Sequence, residues 1–224
     1  MLTTVSFIDS LLSTFKLYQT EVNDFVKLWQ EEEKGETNIE CLFSTIIKYL
    51  FSRFLFSDVE TIRLSRQKFI TDITDEKLDE IRKTFINQVL YNDSIQNSQT
   101  IINWLENSFP ELKVKLEFQK TEAKILPFGK KFTILFSFLI EIITNALKFS
   151  SGEEPIELKW YLEDDKYHFL CKNSFKTKKA NFDSKKGLFF IESMTTHLKD
   201  TMSFEKVTKE NTFFAEIKIS KELF

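Results

Sequence analysis

One apolar stretch in the second half of the chain constrains the fold more than any other feature. Residues 132–149 read FTILFSFLIEIITNALKF, a run of large apolar side chains broken by a few polar ones. The polar residues are Thr133, Ser137, Glu141, Thr144, Asn145 and Lys148. Steps of three and four put them on one narrow stripe of a helix, so the remaining circumference must be buried. The stretch predicts a core helix from Lys131 to Phe149 and not a membrane span, because it is short and is interrupted by the charged residues Glu141 and Lys148.

Composition restricts the class of protein. The 224 residues carry a formal net charge of -3, with 2 cysteines and 4 glycines. This charge gives no general attraction to nucleic acid, and no membrane partner is expected either. The scattered glycines exclude a Walker loop and a dinucleotide-binding fingerprint. Cys41 and Cys171 lie in apolar stretches, which predicts buried thiols and a cytoplasmic protein.

The first 92 residues predict a helical domain. Between residues 3 and 33, apolar residues recur at steps of three and four, as in a heptad seam. A second, very apolar helix is predicted from Ile39 to Phe56, and another from Thr74 to Tyr91. The seam favours a helical bundle that forms a homodimer, and a monomeric helical domain is the alternative. Residues 1–92 are therefore predicted to be a dimerisation or docking domain.

Residues 93–224 predict a different architecture. A helix ends before Pro110, the segment ELKVKLEF alternates as a strand does, and the core helix follows. A hairpin, a helix and a second hairpin complete the order. This order predicts an α/β sandwich with helices on one face of a mixed sheet. The whole chain is therefore assigned to the α+β class, with an all-helical segment before the sandwich.

The core helix also carries a resemblance to a known family. EIITNALKFSSG, residues 141–152, resembles the N box of the GHKL superfamily, which includes the histidine kinases. The resemblance implies an ATP-binding domain of the Bergerat type over residues 93–224. It implies ATP and magnesium as cofactors, with the amide oxygen of Asn145 as the metal ligand. Glu141 would be the catalytic base, and Lys148 would approach the phosphates.

Later motifs depart from the family pattern. Asn173 ends the strand segment FLCKNSF, where the family has an aspartate that binds adenine, and no glycine follows it. The segment KKGLFFIESM keeps Gly187 and Leu188 of the phosphate loop, whose helix start binds anions, but two phenylalanines come next. Thr212 stands where the family has a threonine that supports the aspartate. The resemblance thus assigns Asn173, Gly187, Leu188 and Thr212 to nucleotide binding.

The resemblance implies a two-component-type regulatory protein, with one element missing. No histidine precedes His168, so the helical half has no phosphoacceptor. The hypothesis is a protein that binds ATP and magnesium weakly and acts through a partner, either a response regulator or another signalling protein. Whether the protein is an enzyme stays open. The alternatives are a catalytically dead pseudo-kinase scaffold that binds no nucleotide, and a helical docking protein outside the family.

Overall fold

A computed structural model describes residues 37–57, 66, 69, 74–90, 98–126, 129–175, 185–198 and 201–224. Its helices are α1 (Ile39–Phe56), α2 (Asp75–Phe85), α3 (Ser98–Ser108), α4 (Lys130–Phe149) and α5 (Lys185–His197). Its strands are β1 (Thr37–Asn38), β2 (Val114–Phe118), β3 (Lys124–Ile125), β4 (Ile156–Glu163), β5 (Lys166–Ser174), β6 (Met202–Lys209) and β7 (Thr212–Ser220). A π-helix (Ile86–Leu90) follows α2, and a 3-10 helix (Lys221–Leu223) follows β7. The heptad-like segment 3–33 lies outside the described residues.

The larger sheet is mixed, as the sequence predicts. Its strand order is β2-β4-β5-β7-β6, so β2 and β6 form its edges. β2 runs parallel to β4, and the other neighbours are antiparallel. The β4–β5 turn holds Asp164 and Asp165 at φ of 48° and 56°, the left-handed conformation that a two-residue hairpin turn requires. The predicted α+β class, a helical segment followed by a mixed α/β sandwich, is confirmed by these elements.

Helix α4 is the predicted core helix. It begins after Gly129, whose carbonyl accepts from the backbone N–H and the hydroxyl of Thr133 at 3.0 and 2.9 Å. It packs against α1, α5 and β5. By length and composition Lys131–Phe149 could cross a membrane, but 72% of that segment is buried inside the fold. The prediction of a buried core helix is therefore confirmed.

Helix α1 packs into the same core as the sheet. The ring of Phe43 lies 5.2 Å from that of Phe118, 5.4 Å from that of Trp160 and 5.7 Å from that of Phe169. The buried apolar residues of α1 and those of the sandwich form one continuous cluster. In the described residues, the predicted boundary at residue 92 therefore does not separate two cores. The most apolar face of α1 is used inside the protomer, and dimerisation through residues 1–92 stays a prediction.

A short second sheet and two arginines hold α1 in place. β1 pairs with β3 in antiparallel fashion, so the start of α1 is tied to the segment before α4. At the other end, Nη1 of Arg66 donates to the carbonyl oxygens of Phe54, Leu55 and Ser57 at 2.9, 3.1 and 3.2 Å. Nε of Arg82 donates to the carbonyl of Leu55 at 2.9 Å. The last carbonyls of α1, which have no partner within the helix, are satisfied in this way.

Both cysteines are free thiols, as predicted. Cys171 lies on β5 in the core, and burial raises the pKa of its thiol to about 12. Cys41, near the start of α1, is only half-buried. The expectation of two buried thiols therefore holds fully for Cys171 alone.

Phe43→Ala is expected to destabilise the whole fold by about 3–5 kcal/mol, because it empties the junction of α1 with the sheet. Fluorescence of the tryptophans and circular dichroism should report the same urea midpoint, since one core unfolds as one unit. Phe56→Ala on the same helix is the matched control. Its ring is 40% exposed and lies under Arg82, so the loss should stay below about 1 kcal/mol. Two separate transitions in the wild type would contradict the single core.

Candidate functional site

The structure brings two of the sequence motifs into contact. Glu141 lies midway along α4, and Gly187 lies in the first turn of α5. A Cβ atom placed on Gly187 would overlap the carboxyl group and Cγ of Glu141, so that side chain rests against the glycine backbone. One turn further along α4, Nδ2 of Asn145 donates to Oε1 of Glu141 at 3.1 Å. The predicted base, metal ligand and phosphate-loop glycine therefore form one cluster.

The end of α4 is attached to the end of β5. The N–H of Ser151 donates to the carbonyl of Ser174 at 2.9 Å, and the two hydroxyls of these serines lie 2.7 Å apart. Ser150 also forms an isolated bridge with Phe175. These links hold Asn173, the residue before Ser174, beside the terminal turn of α4. The predicted adenine-binding position and the N box therefore share one end of the sandwich.

The two asparagines of the site are buried. Asn145 is 4% exposed and Asn173 is 2% exposed. Nδ2 of Asn173 donates to the carbonyl of Ser174 at 3.2 Å. Asn173 pairs with Phe213 across the sheet and, like Cys171, points to the face that the helices cover. A ligand would therefore meet these amides only between the helices and the sheet.

Thr212 and Lys148 are placed differently from the central cluster. Thr212 pairs with Ser174, and successive strand residues point to opposite faces, so its side chain lies across the sheet from that of Asn173. The structure does not bring the Thr212 hydroxyl to the Asn173 amide. Lys148 is half-buried on the last turn of α4.

The phenylalanines after Gly187 have separate environments. Phe190 packs edge-on against Phe138 of α4, with ring centroids 5.5 Å apart. Phe189 is 66% exposed, and Leu188 is half-buried against the core. Phe190 therefore anchors α5 to α4, and Phe189 faces solvent.

The donor chemistry of the cluster fits a magnesium ion in part. Magnesium prefers oxygen ligands, and Asn145 and Glu141 offer an amide oxygen and a carboxylate one turn apart. The hydroxyl of Thr144, on the same turn, is buried without a hydrogen-bond partner in the described part of the chain. Within those residues no group of three His, Cys, Asp or Glu side chains could hold a metal. A magnesium ion here would take its remaining ligands from phosphate oxygens and water.

A second polar cluster, missed from sequence, lies on the face of the sheet opposite the helices described above. The rings of Tyr161 and His168 are stacked with centroids 4.8 Å apart. Oε1 of Glu216 accepts from the Tyr161 hydroxyl at 3.1 Å and lies 2.9 Å from Nδ1 of His168. Nζ of Lys218 lies 3.4 Å from Oε2 of Glu216. The sequence shows alternating polar residues in three strands, but it does not show the strand register that brings these residues together.

The pKa of Glu216 reflects these neighbours. Burial acts to raise it, but the hydrogen bond with His168, the charge of Lys218 and the Tyr161 hydroxyl together lower it below its ordinary value. Burial and the Glu216 carboxylate raise the pKa of Tyr161 to about 12. The cluster is therefore a satisfied network with an ionised carboxylate at its centre.

Comparison with known proteins gives similarities to solved structures alone. No family model matches the chain, and no curated protein matches it. The histidine kinase AdeS of Acinetobacter baumannii matches with 15% identity and a TM-score of 0.40, over 83% of this chain and 99% of that chain. The catalytic domain of histidine kinase ThkA in a nucleotide-free form matches with 16% identity and a TM-score of 0.40, over 66% and 96%. The histidine kinase domain of the Erythrobacter litoralis EL346 blue-light activated kinase matches with 10% identity and a TM-score of 0.41, over 80% and 96%. Identities and scores this low assign no activity to the chain.

Phe190→Ala is expected to lower the free energy of unfolding by about 2–3 kcal/mol, because it removes the contact that holds α5 on α4. Phe189→Ala next to it is the matched control and should change stability by less than about 0.5 kcal/mol. Urea unfolding of both variants measures the difference. Equal losses of unfolding free energy in the two variants would mean that both rings are packed against the protein in solution.

Glu216→Gln is expected to cost about 1–2 kcal/mol of stability at neutral pH. Because the pKa of Glu216 is lowered from 4.5 in the folded protein, its contribution is complete above that value and is lost as pH falls through the folded pKa. The gap between variant and wild type should therefore shrink on acidification. Urea unfolding at neutral pH and at about pH 3.5 tests this. Glu205→Gln, a more exposed partner of Lys218, should show almost no gap at either pH.

Proposed function

We propose that the chain is a two-component-type regulatory protein that binds ATP with magnesium weakly and acts through a protein partner. The observation that carries the proposal is the contact of Glu141 on α4 with Gly187 at the start of α5, together with the hydrogen bond from Asn145 to Glu141. These residues are far apart in the chain and match two different boxes of the GHKL pattern. Two motifs that bind one ligand must meet in space, and these two do.

Each residue of the cluster has a chemical role in this proposal. The amide oxygen of Asn145 binds the magnesium ion, which bridges the phosphates. Glu141 holds a water molecule or accepts a proton, and Lys148 attracts the phosphate charge. Gly187 and Leu188 lie near the start of α5, and the start of a helix suits an anion.

The adenine end of the site involves β5. The amide oxygen of Asn173 is the group that would accept a hydrogen bond from the adenine amine, the part that an aspartate plays in the family. An uncharged amide makes a weaker hydrogen bond than a carboxylate does. Thr212 lies on the other face of the sheet and supports this position only through the strand pairing of β5 with β7. Weak binding is the expected result.

The chain acts on or through another protein in this proposal. The absence of any histidine before His168 removes the phosphoacceptor from residues 1–92, so a partner supplies it or ATP acts as a conformational ligand. The partner class is a response regulator or another signalling protein. Homodimerisation through residues 1–92 belongs to the same proposal and is tested by sedimentation.

The second candidate function is a pseudo-kinase scaffold that binds no nucleotide. The near-complete burial of Asn145 and its hydrogen bond to Glu141 favour it, because the Glu141 carboxylate is already engaged and the Asn145 amide is almost closed to solvent. A scaffold would then keep the cluster as a packing contact between α4 and α5.

Calorimetric titration of ATP with magnesium into the full chain distinguishes the two functions. The proposal expects saturable binding with a dissociation constant of about 0.1–1 mM. The affinity for ATP should fall by about tenfold or more when magnesium is removed. Asn145→Ala should remove the magnesium dependence. Asn103→Ala, an exposed asparagine on α3, is the matched control and should leave the affinity unchanged.

Thermal unfolding of each variant is measured alongside, so that loss of binding is not confused with loss of fold. Absence of heat at several millimolar ATP in the folded wild type would favour the scaffold. Binding that survives both magnesium removal and Asn145→Ala would place the nucleotide elsewhere on the protein.

A further inference from the structure

The side chain of Glu141 fills the space next to Gly187. Any side chain at position 187 would overlap the carboxyl oxygen Oε1, Cδ and Cγ of Glu141. The carboxyl group therefore lies directly on the backbone of α5, with no room for another group between them. This placement matters because that part of α5 is the positively polarised start of a helix.

The contact is made at the positive end of a helix. α5 begins at Lys185 and runs for 13 residues, so Gly187 lies in its first turn, where backbone N–H groups point towards the helix start. The helix dipole places partial positive charge at this end, which stabilises a carboxylate or a phosphate. The carboxylate of Glu141 therefore occupies the neighbourhood that would stabilise a phosphate.

Asn145 holds the carboxylate in this position. Its Nδ2 donates to Oε1 of Glu141, and a hydrogen bond to an ionised group is stronger than one between neutral groups. The amide that would face magnesium is thus linked to the group that fills the phosphate position. One movement of Glu141 would change both.

Thr144 supplies a polar group that the present arrangement leaves unused. Its hydroxyl is buried and has no hydrogen-bond partner in the part of the chain that the structure describes. Thr144 is three residues after Glu141, so the two side chains are neighbours on α4. A buried hydroxyl without a partner is unfavourable, and a bound polar ligand could satisfy it.

We propose that Glu141 is an autoinhibitory gate of the nucleotide site. Its carboxylate occupies the anion position at the start of α5, and the triphosphate of the ligand must displace it. The inference rests on the proposed function, because it concerns the regulation of that same site. Since the site is competent only while Glu141 is displaced, the apparent affinity for the nucleotide equals the intrinsic affinity multiplied by the fraction of molecules in the open arrangement.

Removing the gate should strengthen binding. Magnesium-ATP is titrated by calorimetry into wild type, Glu141→Ala and Glu141→Gln. The expected result is a gain in affinity of about tenfold for the alanine variant and a smaller gain for glutamine, which keeps the volume but loses the charge. Glu192→Ala is the matched control. It removes a carboxylate of α5 that pairs with Lys206 at 2.7 Å, and should leave the affinity unchanged.

The outcomes separate the gate from the proposed function. Tighter binding by Glu141→Ala, or binding by this variant alone, supports both. If the wild type binds and Glu141→Ala binds with equal or lower affinity, the gate is overturned and the proposed function stands. Absence of binding by the wild type and by Glu141→Ala overturns both, because the gate then has no ligand to exclude.

A second measurement tests the contact without nucleotide. In the Glu141→Ala background, Gly187→Ala should raise the thermal midpoint by about 2–3 °C, because alanine favours a helix. In the wild-type background the new methyl group competes with the carboxyl group of Glu141, and this gain should be lost. Equal effects in the two backgrounds would show that Glu141 does not rest on Gly187 in solution, and would overturn the gate.

Discussion

The burial of α4 determines the rest of the structure. An apolar helix of this length must be covered on almost all sides, and α1, α5 and β5 provide the cover. Its polar stripe then needs partners within the protein. The hydroxyls of Thr133 and Ser137 bond to carbonyls one turn earlier, at 2.9 and 2.8 Å, so the upper part of the stripe is satisfied by the helix itself. From Glu141 onwards the stripe lies where α4 meets α5, and there Asn145 donates to Glu141, whose side chain rests on Gly187.

The shared core determines which parts of the fold can move at low energetic cost. Because Phe43 of α1 packs against rings of β2, β4 and β5, α1 cannot shift without disturbing the sheet. The contact of Glu141 with Gly187 involves a flexible side chain and one helix turn. A change in the arrangement of the site therefore costs less than a change in the position of α1. Movement coupled to a ligand is expected at the start of α5.

The sequence predicts local elements well and long-range contacts poorly. Periodicity alone identified α1, α4 and the five strands of the larger sheet, because the spacing of apolar residues depends on local backbone geometry. It did not predict that α1 joins the sheet core, since an apolar face does not specify what covers it. The N box was recognisable as a motif, but its contact with Gly187 depends on the crossing of two helices. The assignment of Thr212 to nucleotide binding stays a prediction, since the strand register places its side chain on the face of the sheet opposite that of Asn173.

The edges of the sheet have a consequence for how other proteins approach it. In the described residues, β2 at one edge carries Lys115 and Glu117, paired at 2.6 Å, and the second half of β6 at the other edge is exposed and charged. Charged side chains on edge strands oppose the addition of a further strand, because the incoming backbone would have to bury or displace them. Recognition by sheet extension is therefore disfavoured at both edges. The same charges also oppose edge-to-edge pairing of the sheet with copies of itself, and concentrated solutions should stay free of strand-to-strand aggregates.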